Sequence, residues 1–411
     1  MGMIDAIFPL TFPTDDLRLL TGILIGFGFG FVLERAGFGN ARKLAGQFYL
    51  NDMTVFKVMF TAIIVAMTLI FLSSALGLLD YNLIWVPPTY LWPGIVGGLI
   101  MGVGFIIGGF CPGTSLVGLA TGKIDAVMFV LGVLFGIYMF GETVGSFATF
   151  FDSSNMGRFT LPELFNASYG VVVISIVVVA LLLFVMAEKV EGMVNGEPQP
   201  RLPGWSKPAA GALVALAAVV LIIGQPSNED RWQAVAAESQ AKLDERAVQI
   251  SSAEFIKYRD DAKIKIIPLD VREERYYNQF HLRGAVHVPL EEVQEKAREL
   301  QFELANTVFV TISNDEAAAT EAWKILKAES LPNVYILEGG INAWLKEYAG
   351  DSLAEEDRVY NRQEDQLAYR FNAATGSRHP AAEPEPDFIN LKYEPKIILE
   401  LKRAPTSGGC G

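Results

Sequence analysis

The chain has 411 residues, of which 51% are apolar and 19% charged, and it carries a formal net charge of −13. That length leaves room for two or three domains, and the acidic balance argues against a nucleic-acid partner and against polybasic docking on a membrane. Two distant cysteines, Cys111 and Cys410, cannot build a disulfide framework or a four-ligand metal site, and three unclustered histidines (His281, His287, His379) give no metal signature, so no cofactor is expected.

Composition divides the chain. Up to about Gly224 long apolar runs dominate, and after Asn228 the sequence is charged and mixed. The expectation is a membrane domain over residues 1–227, a connector helix over 228–249, a soluble α/β domain over 250–350 and a tail over 351–411. Met1 to Arg18 lacks a basic stretch and a cleavage site, so no removable signal peptide is expected. Since roughly 20 apolar residues cross a bilayer, six spans are predicted at 17–36, 56–79, 92–110, 124–150, 169–188 and 208–225.

Lys and Arg collect after the odd-numbered spans: Arg35, Arg42, Lys43 and Lys57, then Lys123, then Lys189, Arg201 and Lys207. The segment 80–91 has none and 151–168 has only Arg158. Cytoplasmic loops carry the positive excess. Both termini are therefore expected outside the cytoplasm, in the periplasm if the membrane is a bacterial inner one.

An internal repeat follows from a shift of 74 residues, which lays Gly28-Phe-Gly-Phe-Val-Leu33 over Gly102-Val-Gly-Phe-Ile-Ile107, Gly39 over Gly113 and Gly37 over Cys111. Each unit reads as a glycine-rich span, a glycine turn, a short helix (40–50 and 114–121) and a full span. Broken helices at matching positions of a repeat point to a transport path, because irregular backbone at membrane depth is tolerated only where protein or a cavity covers it. Close helix packing through small residues is the alternative use of such glycines. The break at Cys111-Pro112-Gly113-Thr114-Ser115 presents a thiol, free N–H groups and two hydroxyls, a setting for a small anion. The matching break at Gly37, Gly39 and Asn40 offers a second donor set. Glu34 and Arg35 pair or serve the path. Glu142, acidic within an apolar run, is a further candidate.

The stretch Gly-Phe-Cys-Pro-Gly-Thr-Ser-Leu-Val-Gly, with its partner Glu-Arg-Ala-Gly-Phe-Gly-Asn, resembles the YeeE/YedE family of sulfur-compound transporters. The resemblance covers about residues 17–150. It implies uptake of thiosulfate or a related inorganic sulfur anion, passed by hydrogen bonds to thiols. Only Cys111 carries over from the family's cysteines, which implies a single thiol gate or a site shared between protomers of a homodimer.

In the second half, 264–270, 307–312 and 333–337 read as strands, and 290–301, 315–329 and 340–348 as helices. This alternation argues for a small parallel-sheet domain. Leu269-Asp-Val-Arg272, Phe280-His-Leu-Arg-Gly-Ala285 and Leu337-Glu-Gly-Gly-Ile-Asn-Ala-Trp344 resemble, in order, the signatures of rhodanese domains. The resemblance implies a sulfur-holding loop after the central strand, at Thr311-Ile-Ser-Asn-Asp-Glu316, with Thr311 at the cysteine position. An alcohol forms no stable persulfide, so a sulfurtransferase is not expected. A scaffold is, with Ser313 as the alternative nucleophile.

The tail runs through a stiff linker, Ala381-Ala-Glu-Pro-Glu-Pro386, and a strand-like pair, 388–393 and 395–403. It ends in Gly-Gly-Cys-Gly, which resembles the terminal arm of SoxY carrier proteins and implies that Cys410 holds sulfur. The combined expectation is membrane transport of a sulfur anion, with sulfur-carrier proteins as partners. A membrane-anchored sulfur-transfer protein using Cys410, or a sulfur sensor, is the alternative.

Overall fold

The computed structural model describes residues 15–84, 86–196, 204–259, 261, 263–304, 306–349, 358–371, 373–384 and 391–400. The chain separates between Gln225 and Pro226 into two units.

The N-terminal unit is all-helical. Its elements are α1 (Asp15–Arg35), α2 (Ala41–Gly46), α3 (Thr54–Ala75), α4 (Leu91–Gly108), α5 (Pro112–Ala120), α6 (Ile124–Thr143), two short helices, α7 (Ala148–Phe151) and α8 (Leu161–Phe165), then α9 (Tyr169–Asn195) and α10 (Ser206–Ile223). Among the described residues six segments are long and apolar enough to cross a membrane, one of them the 30-residue run through α4 and α5. Two clusters hold the unit together. Ile64 of α3, Val173, Val177 and Ala180 of α9 and Ala217 of α10 form one. There the backbones come close, since a Cβ at Gly170 would lie 2.6 Å from Leu221 Cα. Phe38, Leu44, Val55, Phe110 and Ala126 form the other, which joins both helix breaks.

The loops sort onto two faces. On one, Lys57 lies 3.8 Å from Glu188 and 3.5 Å from Glu191, Asn195 donates to the Asn51 carbonyl, and Lys123 reaches the Gly39 carbonyl. On the other, the rings of Phe71, Tyr81 and Tyr169 pack together in tilted and edge-on contacts, Arg158 covers Tyr81, and Thr89 and Leu91 bond to Gly157 and Ser154. Gln225, where the unit ends, donates to the Phe71 carbonyl and belongs to this second face. Glu142 sits exposed in the last turn of α6 rather than inside the bundle.

The C-terminal unit comprises α11 (Asn228–Asp244), β1 (Gln249–Ile250), α12 (Ser252–Arg259), β2 (Lys265–Asp270), α13 (Glu274–Gln279), β3 (Val286–His287), α14 (Val293–Leu300), β4 (Thr307–Ile312), α15 (Ala317–Ala328), β5 (Val334–Leu337) and α16 (Gly340–Tyr348). The sheet is parallel throughout, in the order β1-β5-β4-β2-β3. All six residues of β4 are buried, as expected for a central strand covered on both faces. The two-residue strands β1 and β3 carry no periodic signal of their own. The core gathers Phe255, Phe280, Trp323 and Trp344 around the sheet.

Three expectations change here. The connector helix α11 packs onto this unit: Trp232 meets Trp323 edge-on at 6.3 Å, and Arg231 pairs with Glu329 at 2.7 Å. Of the stretch expected to be a stiff linker, residues 381–384 are described and instead anchored, because Ala381 and Ala382 are buried and the Trp344 indole donates to the Ala381 carbonyl; Glu385 and Pro386 lie outside the described residues. The described residues of the expected second strand, 395–400, form no strand. Residues 391–400 cross the domain without regular structure, tied by Glu254 to the Lys396 and Ile397 N–H groups and by Tyr335 to Ile398. Residues 388–390 and 401–403 lie outside the described residues.

His379 packs its ring edge-on against Phe280 and Phe371, which stack on each other, with Nδ1 accepting from the Ala381 N–H. Burial lowers its pKa from the usual 6.5. A depressed pKa means that the unfolded state takes up the proton first, so stability from this contact is present above 6.5 and lost as pH falls below it. Hydrogen exchange over residues 375–383 is expected to quicken as pH drops below about 6.5 beyond its intrinsic pH dependence, and His379→Gln is expected to flatten that response.

Candidate functional site: two helix breaks and a closed loop

Gly109 ends α4 in the left-handed conformation (φ 69°), which only glycine adopts without strain. Phe110 then plunges into the core, fully buried, and Cys111 turns the chain into α5. Cys111 is the N-cap: its Sγ accepts from the Thr114 N–H at 3.4 Å, and the Thr114 hydroxyl accepts from the Cys111 N–H at 3.0 Å. Pro112 follows at the first helical position, where a missing N–H costs nothing. Thr114 and Ser115 are buried. The Thr114 hydroxyl proton is shared between the Cys111 carbonyl (3.2 Å) and Sγ (3.3 Å), and Ser115 Oγ donates to the Pro112 carbonyl at 2.8 Å. The two hydroxyls are therefore engaged within the cap. Among the described residues Gly113 N–H, half-buried, is the donor of this first turn that no protein atom accepts.

The first break repeats this design in a register that differs from the expected one. Gly37 (φ 80°) and Gly109 (φ 69°) end their helices alike, Phe38 and Phe110 are both buried, and Leu50 (φ 60°) and Gly122 (φ 74°) both turn left-handed before the next span. These pairs are 72 residues apart. The same shift superposes Gly22, Gly26 and Gly30 on Gly94, Gly98 and Gly102. Cys111 is thus matched by Gly39, and Gly37 by Gly109, which corrects the pairing of Cys111 with Gly37. Asn40 caps α2 through Arg42 N–H at 3.1 Å and is exposed.

The two breaks touch. A Cβ at Gly109 would meet Ala41 Cβ at 3.0 Å. Lys123, from the second repeat, donates to the Gly39 carbonyl at 2.7 Å. A Cβ at Gly39 would find Glu34 Oε2 at 3.0 Å, Thr121 Oγ1 at 3.4 Å and Lys123 Nζ at 3.5 Å. Lys43 closes the end of α1 by donating to the Ala36 carbonyl at 2.9 Å. Buried Gly39 is therefore surrounded by polar ends, with an ammonium on its carbonyl. Sequence reading used Lys123 only as a topology marker. The signal for its role was its place directly after the left-handed Gly122.

In the C-terminal unit the three signature motifs meet at one loop. Arg272 is buried and binds Asp270 at 2.6 Å, the Phe280 carbonyl and Asn314 Oδ1. Ile341 and Asn342 N–H groups donate to the Ser313 and Asn314 carbonyls, and Gly339 N–H to Glu316. Thr311 does not belong to the loop. It lies within β4 between Leu269 and Ile336, its buried hydroxyl donating to the Ala319 or Tyr335 carbonyl. Ser313 is the first residue past the strand. It is fully buried, and its Oγ is without a partner. Two of the N–H groups expected to cradle an anion are occupied. Asp365, from the tail, accepts from Asp315 N–H at 2.7 Å and Ala318 N–H at 2.9 Å. The acidic loop residues are themselves paired, Asp315 with Arg362 and Glu316 with Arg246.

Residues 35–240 match the family model described as Sulphur transport, half of the chain. The chain belongs to this family. Residues 251–347 match the rhodanese-like domain model, and the parallel α/β unit is such a domain. Thiosulfate transporter TsuA of Spirochaeta thermophila is 28% identical over 142 residues, covering 34% of this chain and 41% of that protein. Putative sulfur carrier protein YrkF of Bacillus subtilis is 30% identical over 93 residues, 23% of this chain and 49% of that protein. The chain spans less than half the length of each. A solution structure of a rhodanese-like domain from Anabaena sp is matched over 98% of its length and 30% of this chain, at 23% identity and a TM-score of 0.21. With six candidate spans in a Sulphur transport family member, the protein is a multi-pass membrane protein.

Gly340 makes the loop testable. Its φ is 58°, and a Cβ there would lie 2.0 Å from the Asp315 carbonyl oxygen and 2.4 Å from that of Ser313. Gly340→Ala is expected to destabilise this unit by about 3 kcal/mol or more, seen as a lowered unfolding midpoint in Trp323 and Trp344 fluorescence.

Proposed function

We propose that the protein carries thiosulfate, or an inorganic sulfur anion like it, across the membrane past Cys111. The observation that carries this reading is the cap of α5. Thr114 addresses the Cys111 sulfur from the helix side, which leaves the S–H hydrogen to donate outward. Gly113 N–H is open beside it at the positive end of a nine-residue helix. Thiol, amide and dipole then act together on an anion. Thr114 and Ser115 serve by shaping this turn rather than by binding. At the second break, Gly37, Gly39 and Asn40 keep the backbone open, and Lys123 supplies positive charge. Family membership and the name of the TsuA relative support the substrate class.

The charge pattern supports the orientation. The face of Gln225 carries Arg18 and Arg158, while the opposite face carries Arg35, Arg42, Lys43, Lys57, Lys123 and Lys189. By the positive-inside rule the rhodanese-like domain stands outside, at the periplasmic side of an inner membrane. The domain is not a sulfurtransferase in this reading, because its loop holds no thiol and a carboxylate fills its cradle. Sulfur capture falls to Cys410, which lies outside the described residues. Its thiolate attacks the outer sulfur of thiosulfate, the new S–S bond forms as the old one breaks, and sulfite leaves with the electron pair. The ten residues after Glu400 span at most about 34 Å. Two copies pairing through the open glycine edges of α1 and α4 complete the reading.

In proteoliposomes, Cys111→Ala is expected to reduce labelled thiosulfate uptake to background while Cys410→Ser retains it; uptake by Cys111→Ala at the parental rate removes the thiol from the path. Mass spectrometry of the C-terminal peptide after thiosulfate exposure is expected to show one added sulfur on Cys410. Sulfur on Cys410 together with unaltered uptake by Cys111→Ala would instead favour a membrane-anchored carrier, the reading to which the YrkF relative points.

A further inference from the structure

The loop after β4 is filled by a peptide of the same chain, and the way it is held identifies what the loop recognises. The two carboxylate oxygens of Asp365 are taken separately, Oδ1 by the Asp315 N–H at 2.7 Å and Oδ2 by the Ala318 N–H at 2.9 Å, at the head of the twelve-residue helix α15. Such a pairing suits a planar acid at the positive end of a helix dipole. The remaining contacts read peptide backbone. Asn314 donates its side-chain amide to the Asp365 carbonyl at 2.7 Å. Asn342 donates to the Gln366 carbonyl at 2.9 Å and accepts from the Ala368 N–H at 2.7 Å. Arg362 reaches from the same segment to Asp315 at 2.7 Å. Leu367 and Ala368 are buried behind it.

Asp365 itself sits at φ 56°, a left-handed conformation that aspartate tolerates better than most residues, and the bonds from Asn314 and the two loop N–H groups hold it there. A small tetrahedral sulfur anion would use the two N–H groups but would leave both asparagine amides without their backbone partners.

We propose that this loop is a receptor site for an aspartate-bearing peptide, and that residues Arg362–Ala368 are its built-in ligand, a latch that keeps the site shut and the tail fastened to the domain. The proposal goes beyond the transport reading and does not depend on Cys111 or on uptake.

The test is hydrogen exchange on the full-length protein in detergent, read at peptides covering 315–318 and 358–371. Asp365→Ala is expected to speed exchange in both segments together, about tenfold or more, since two charge-assisted hydrogen bonds are lost. Millimolar formate is expected to slow the 315–318 segment again, by refilling the carboxylate position. Thiosulfate or chloride at equal ionic strength is expected not to. Unchanged exchange in Asp365→Ala overturns the proposal, as does equal restoration by all three anions, which would mark a general anion hole. Exchange over β2 and β4 reports whether the variant is folded. If it is not, Asp365→Asn, which keeps one acceptor and the backbone contacts, takes its place and is expected to show the same coupled loosening to a smaller degree; independent behaviour of the two segments in that variant overturns the latch.

Discussion

A helix that breaks where the chain is buried must find partners for its last carbonyls and its first amides, because water does not reach them. The membrane unit meets this demand twice, and much of its architecture follows. At the first break the cations do the work: Lys43 closes on Ala36 and Lys123 on Gly39. At the second, a sulfur and a hydroxyl replace them, in the reciprocal cap of Cys111 and Thr114. Both breaks then bury a phenylalanine in one shared cluster, so that neither can shift without disturbing the other. The thiol is held at a helix start for a structural reason, and its chemical exposure is a consequence of the same geometry.

The α/β unit solves a related problem at the head of α15. Free N–H groups there attract an anion, and this chain supplies one from its own tail. The acidic loop residues become intelligible in that light. Asp315 binds Arg362 and Asn342, and Glu316 binds Arg246 and the Gly339 N–H. Their charges are spent on fixing the tail and the Gly339-Gly340 turn around the loop.

Much of this was legible in the residues. Long apolar runs announced the spans, and the motifs around Asp270, His281 and Gly340 announced the sheet domain, because burial and tight turns restrict composition. Register was less legible. A shift of 74 matched local glycine pairs, and the φ > 0 turns at Gly37, Gly109, Leu50 and Gly122 were needed to show that 72 is the structural repeat. Leu50 conceals its turn, since a leucine gives no hint of a left-handed backbone. The bounds of β4 were legible, but the engagement of the Thr311 hydroxyl by the Ala319 or Tyr335 carbonyl was not, because those partners lie eight and 24 residues away. The tail was the hardest to read. Its charge suggested solvent, yet Arg362, Asp365 and His379 each have partners far away in sequence, which no local pattern encodes.

The positions of the tail contacts bear on how sulfur chemistry divides within the chain. The strap at Arg362–Ala368 sits at the carboxyl end of β4, over the loop. The last described segment leaves at the other end of the sheet, where Asn333, just before β5, both donates to and accepts from Glu400. Parallel strands place these two sites at opposite ends of the sheet. On the proposal that Cys410 carries sulfur, the segment leading to it departs from the end of the sheet away from the filled loop. In the transport reading the rhodanese-like domain then acts through the points at which it holds and releases the chain, and the sulfur-handling groups are the two cysteines outside it, one capping a broken helix and one near the end of the sequence.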